Sequence, residues 1–179
     1  MAERSQTYLW AMRALFVGIC TLFVFLRLLP LDTLPRGWAG PDFILAFTLA
    51  WGLRRPEFVP PLLVAAVFLL CDLLFHRPPG LWAALVLIGS QTLRARAPDL
   101  RDLTFPVEWV SVATTLAAMT IGYRLILGVL MVDQAPLGLS LMQMLMTLIA
   151  YPLVVLVSQS LLGVRKVAPG ELDAMRPGS

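Results

Sequence analysis

The sequence predicts an all-α polytopic membrane protein, a compact bundle of six transmembrane helices with both termini in the cytoplasm. Three observations carry that expectation. First, 59% of the 179 residues are apolar and only 14% are charged, against roughly 25% charged in an average soluble domain, and the mean hydropathy is +0.81. Second, the apolar residues fall into long uncharged runs, enough for about six spans of about 20 residues each. Third, the basic residues are distributed unevenly between alternate connections. A soluble fold this apolar could not cover itself, so the composition excludes a secreted disulfide scaffold, a disordered tail and an ordinary cytosolic enzyme. The spans leave no room for a sizeable catalytic domain outside the membrane, and residues 1–179 read as one domain.

The spans follow in chain order. Residues 8–29 form the first, about 33 Å of helix at about 1.5 Å per residue. Arg13 within it, and the lack of a small-residue cleavage pattern after it, argue for a retained span over a signal peptide. After Pro30, Pro35, Gly37 and Gly40 comes a short second span, 42–53. Pro41 precedes it and Asp42 is placed to cap its N-terminus by accepting backbone N–H groups. The third, 58–75, begins with Pro60 and Pro61, which a helix tolerates only in its first turn. The fourth, 80–93, is also short, as suits a bundle whose neighbours shield its ends. The polar stretch Arg94, Arg96, Asp99, Arg101, Asp102 is expected to be an aqueous loop. The fifth, 107–132, is long enough to tilt, and the sixth, 141–162, carries Pro152, expected to kink it. Residues 163–179 form a polar cytoplasmic tail.

Counting basic residues fixes the orientation. With the N-terminus inside, Arg4, Arg54, Arg55, Arg94, Arg96, Arg101, Arg165, Lys166 and Arg176 lie on the inner side, and only Arg36 and Arg77 on the outer. That asymmetry places both termini in the cytoplasm. The net charge of +3 is spread through short loops, where a nucleic-acid binder would gather it on one face; no nucleic-acid partner is expected. Cys20 and Cys71 lie in apolar runs and read as small buried hydrophobes.

Charges sunk in apolar runs usually pair or face protein, because an isolated one costs on the order of 3 kcal/mol at a span centre. Arg27, Asp42, Asp72, His76 and Arg124 all fall in the outer half. Asp72 is expected to pair with Arg124 or Arg27, with a cap on the turn before Pro78 as the alternative for Asp72 and snorkelling to headgroups as the alternative for the arginines. Asp72 and His76, four apart, would share a helix face, but no nucleophile motif, no HExxH and no second histidine accompany them. The reading is therefore non-enzymatic, with no catalytic residue, no cofactor and no metal site. Small residues four apart (Ala14 and Gly18; Ala46 and Ala50; Thr114, Ala118 and Gly122) mark surfaces where helices approach closely. Met142, Met144 and Met146 read as lipid-facing or core filler ahead of a partner groove, and Arg54 and Arg55 first as topology determinants and second as contacts for anionic membrane lipid or a cytoplasmic partner.

Residues 40–96 resemble the rod shape-determining membrane protein family MreD. The resemblance rests on Gly40-Pro41-Asp42-Phe43 opening the second span and Trp51 with Arg54-Arg55-Pro56 closing it. It continues in Phe68-Leu69-Leu70-Cys71-Asp72-Leu73-Leu74-Phe75 followed by Arg77-Pro78-Pro79-Gly80-Leu81-Trp82, a form most similar to alphaproteobacterial members. Pro152 and the basic Arg165-Lys166 end also fit. What the resemblance implies is a non-enzymatic inner-membrane scaffold of the cell-elongation machinery. It would bind MreC directly, and through it MreB, RodA and a class B penicillin-binding transpeptidase, and position peptidoglycan synthesis. It also implies a fold similar to the S components of energy-coupling-factor transporters, with Pro41, Asp72 and Gly80 as family-typical positions. One departure is Phe68, where many relatives carry a small residue one turn before the aspartate. Two competing readings are a vitamin-binding transporter subunit, against which the outer loops are expected to be short and to carry few polar or aromatic side chains, and a lipid-handling enzyme using Asp72 and His76.

Overall fold

A computed structural model describes residues 2–29, 38–100 and 104–164. The predicted loop at 30–37 with Arg36, the residues Arg101 and Asp102, and the tail from Arg165 lie outside the described residues, as do the side chains of Arg4 and Asp99. The described chain is all helical: α1 Ala2–Leu28, α2 Phe43–Arg54, α3 Pro61–Leu74, α4 Leu81–Leu100, α5 Phe105–Val129 and α6 Leu137–Ser160. Three of them are long and apolar enough to cross a membrane, over Gln6–Leu28, Phe105–Val129 and Leu137–Ser160.

The helices alternate in direction, so Asp42, His76, Trp82, Arg124 and Ser140 gather at one end and Arg54, Phe105 and Ser160 at the other. α3 packs on α4, α4 on α5 and α5 on α6, while α2 lies against α6, α4 and α1. Every residue of α2 from Ile44 to Arg54 is buried. Its twelve residues make about 18 Å of helix, short of the roughly 30 Å of a hydrocarbon core. A helix apolar all round is a core helix, and neighbours on every side remove the need for its ends to reach the interfaces unaided. Polar pins hold its register on α6: Asp42 N–H donates to Thr147 Oγ1 at 2.9 Å and Trp51 Nε1–H to Ser158 Oγ at 3.0 Å, both buried. The other helices turn apolar side chains outward, among them Trp10, Phe25, Leu70, Ile121, Leu125, Leu145 and Ile149. This is the surface a bundle embedded in lipid presents.

The cap at Asp42 and the start of α3 at Pro61 are as the sequence indicates: Asp42 Oδ1 accepts Leu45 N–H at 3.1 Å, and Pro60 precedes Pro61 as the N-cap. Several boundaries differ, with α1 beginning at Ala2 where residue 8 is expected and α5 covering Phe105–Val129 where 107–132 is expected. The expected aqueous loop after residue 93 is helix as far as Leu100, because Arg94 and Arg96 are sound helix formers and Arg94 turns its guanidinium onto the Pro56 carbonyl. α6 begins at Leu137, four residues early.

α6 also stays helical through Pro152. Proline supplies no N–H to the carbonyl four residues back and so orphans it; here Trp109 Nε1–H of α5 donates to that carbonyl, Leu148 O, at 3.0 Å. Trp109→Phe should therefore lower stability by about 1 kcal/mol, the order of one lost hydrogen bond at a part-buried acceptor. The measurement is thermal unfolding in detergent, and the loss should vanish in a Pro152→Ala background, where residue 152 again donates to Leu148. Equal losses in both backgrounds would exclude this account.

Candidate functional site

The Asp42 end holds the ionisable residues the sequence singles out, but not in the expected pairs. Asp72 is fully buried and accepts backbone N–H groups from Gly80 and Ala83, each at 3.1 Å on Oδ2. It thus bonds the start of α4 from the last turn of α3, and the expected ion pair with Arg27 or Arg124 does not form. The reason lies in the chain path: α3 ends at Leu74, the turn of residues 75–80 brings the α4 N-terminus back over Asp72, and orphan N–H groups there take the carboxylate. Gly80 has φ +84°, a left-handed conformation that glycine adopts without strain. That explains a glycine at this position.

Arg27 instead approaches Asp42, with Nη1 3.8 Å from Oδ2, and lies over the Phe75 ring at 4.8 Å. Arg77 stacks on both Phe75 and Trp82, at 5.7 and 5.6 Å. Trp82 meets Tyr123 edge-on at 5.2 Å. Arg124 does not meet Asp72: Nη1 donates to Ala135 O at 3.0 Å and Ser140 Oγ at 2.8 Å, closing the α5–α6 turn.

His76 does not share a helix face with Asp72. It stands beyond the end of α3 at φ +54°, with its own N–H directed to Leu73 O and that of Arg77 to Asp72 O. These are the two bonds of a Schellman termination, so the backbone turns away and the acid/base arrangement dissolves. Among the described residues no group of three or more His, Cys, Asp or Glu side chains could hold a metal ion.

These side chains surround a cavity of about 350 Å³ open at the Asp42 end, lined by His76, Arg77, Trp82, Tyr123, Arg124, Asp133, Gln134 and Gln143 over an apolar floor of Leu45, Leu116 and Met144. The buried indole N–H of Trp82 has no acceptor. The connections at this end thus meet helix ends that supply aromatic and polar side chains. A neighbouring cavity of about 540 Å³ is bounded by Arg27, Trp38, Pro41, Asp42 and Leu139. Phe68 is buried, and Asp72 lines neither cavity.

At the opposite end sits a cluster that sequence reasoning missed. Arg54 and Glu108 are 3% and 0% exposed, and Arg54 Nη2 donates to Glu108 Oε1 at 2.9 Å. The Tyr151 hydroxyl donates to the same oxygen at 2.9 Å. Arg54 therefore faces the bundle interior and is engaged by a partner within the chain. Arg55 beside it reaches Glu57 at 3.4 Å, and Arg13 in α1 donates twice to Glu57 O, both at 3.1 Å. The available signal was Glu108 itself, a carboxylate one turn into an apolar helix, with Tyr151 ahead of Pro152.

The small-residue ridges divide. Ala46 and Ala50 are buried in the core. Ala14, Gly18, Thr114 and Ala118 face outward, a Cβ at Gly18 would meet nothing within 4 Å, and one at Gly122 would meet only Leu85 at 3.6 Å. The tight crossing within the chain is at Gly89, where a Cβ would fall 2.5 Å from Met119 Sδ. Met142 accepts Ala39 N–H through sulfur at 3.4 Å, and Met144 packs on the core. Cys20 and Cys71 are buried free thiols. Comparison with protein-family models, with curated proteins and with solved structures finds no match to this chain.

Proposed function

We propose that this protein is a non-enzymatic scaffold subunit of the bacterial cell-elongation machinery, crossing the inner membrane six times with both termini in the cytoplasm and binding an MreC-type partner. The sequence resemblance to the MreD family supplies the identity of the assembly. The single structural observation that favours a docking body is the ridge of Thr114 and Ala118 on α5, small residues that are exposed among the described residues. In lipid no hydrophobic drive brings helices together, and close approach over small residues supplies the contact that does. MreC's transmembrane segment is the partner helix in this reading, and the turn between α5 and α6, on the periplasmic side in the proposed orientation, contacts MreC beyond the membrane. MreB, RodA and the transpeptidase join through MreC.

The test is affinity capture of co-expressed MreC in mild detergent. Ala118→Trp should lower recovery at least about tenfold, a loss of about 1.4 kcal/mol, while leaving helicity and thermal unfolding unchanged, because the side chain points away from the core. Failure of the folded wild-type chain to retain MreC would end this reading, and depletion in a rod-shaped host should give rounded cells.

A second reading, a small-molecule uptake subunit, is favoured by the cavity at the Asp42 end and its acceptor-seeking Trp82. Native mass spectrometry of the chain purified from its own membranes decides it: a retained vitamin-sized molecule promotes it, and an empty cavity removes it.

A further inference from the structure

We infer that the groove at the Arg54 end, between α5 and α6, is a binding site for the phosphate of a membrane phospholipid. Arg54 is 3% exposed, yet it satisfies only part of its donor set. Nη2 serves Glu108, whereas Nε and Nη1 are buried with no acceptor. A guanidinium is never deprotonated in a protein and brings five N–H donors. Leaving two nitrogens of a buried cation unsatisfied is costly, and a phosphate oxygen is the acceptor chemistry to which arginine is best matched.

Arg54 lines a groove of about 870 Å³ that combines polar and apolar side chains. Its polar lining is Arg54, Glu108, Gln159 and Ser160, and its apolar lining includes Phe105, Pro152 and Leu156. Leu156 is 61% exposed and is followed up the outer face of α6 by the exposed side chains of Leu153 and Ile149. A phosphate seated on Arg54 would therefore have its acyl chains against that ridge, in the hydrocarbon. α5 begins on the rim of the groove with Glu108 in its first turn, so a carboxylate already offsets the positive end of the helix dipole and the attraction for an anion rests on Arg54. A free phosphate would satisfy the same donors, but the apolar lining favours the lipid.

The test is native mass spectrometry of the full chain, titrated with palmitoyl-oleoyl-phosphatidylglycerol, with the diacylglycerol of the same chains, and with inorganic phosphate. Two variants accompany the wild type. Arg54→Met/Glu108→Met/Tyr151→Phe removes the polar cluster as a unit, which spares the fold the cost of one stranded charge; Gln159→Trp fills the mouth and leaves the cluster intact. The expected result is phosphatidylglycerol retained about tenfold better than diacylglycerol, corresponding to about 1.4 kcal/mol, and that preference lost in both variants. If the triple variant does not fold, Gln159→Trp decides alone. Equal retention of the two lipids, or undiminished phosphatidylglycerol binding by a folded variant, overturns the site. Inorganic phosphate that binds and displaces the lipid overturns the lipid assignment in favour of a free anion. None of these outcomes depends on MreC.

Discussion

Arg54→Ala should remove about 3–5 kcal/mol of stability, the cost of stranding one member of a buried ion pair, and the protein should fail to accumulate in membranes. The mechanism is the loss of the guanidinium that donates to Glu108 Oε1, a fully buried carboxylate oxygen that also accepts the Tyr151 hydroxyl. Arg54→Lys should recover little, because an ammonium on a shorter, unforked head cannot reproduce the guanidinium geometry. The informative comparison is Arg54→Met/Glu108→Met/Tyr151→Phe. Replacing the whole cluster by apolar groups of similar volume is often neutral or stabilising, so this variant should accumulate well above Arg54→Ala. Immunoblotting of membrane fractions and unfolding temperatures in detergent check both. If Arg54→Ala behaves as wild type, the cluster does not hold α2, α5 and α6 together.

Asp72→Ala should be the next most damaging change. Two backbone N–H groups, of Gly80 and Ala83, depend on Oδ2, and each donor left unsatisfied costs on the order of 1–3 kcal/mol. The α3–α4 turn should loosen, and with it the placement of Trp82 and Arg77 around the cavity. Asp72→Asn keeps one carbonyl oxygen in place and should be milder. That ordering also separates the observed cap from an ion pair. In a cap, substituting Arg124 leaves the effect of Asp72→Ala unchanged; in a pair, the two substitutions would be strongly non-additive. Membrane levels of the three single and double variants provide the readout.

The success of sequence reasoning at some positions and its failure at others follow from the range of the interactions. The Asp42 cap and the start of α3 at Pro61 rest on bonds within about one turn, so residue type and spacing suffice to place them. The partner of Asp72 lies 8 and 11 residues on, across a turn whose path depends on His76 and Gly80 both taking left-handed backbone conformations. A pattern search for opposite charges favours arginine there, because backbone N–H groups carry no letter in the sequence. Glu108 and Arg54 are 54 positions apart, and each reads locally as an ordinary helix-end charge. The donor that satisfies Leu148 O, and so lets α6 run through Pro152, sits 39 positions away on another helix.

By itself the sequence determined that the chain is helical and apolar, with roughly which segments form helices and where several begin, because periodicity, proline position and capping chemistry act over one or two turns. Only the tertiary structure decided which helix lies at the centre, which small-residue ridges are spent inside and which face outward, and which charges meet. Those outcomes depend on contacts between residues distant in the chain, and a buried polar group takes whatever donor or acceptor the packed neighbours bring to it.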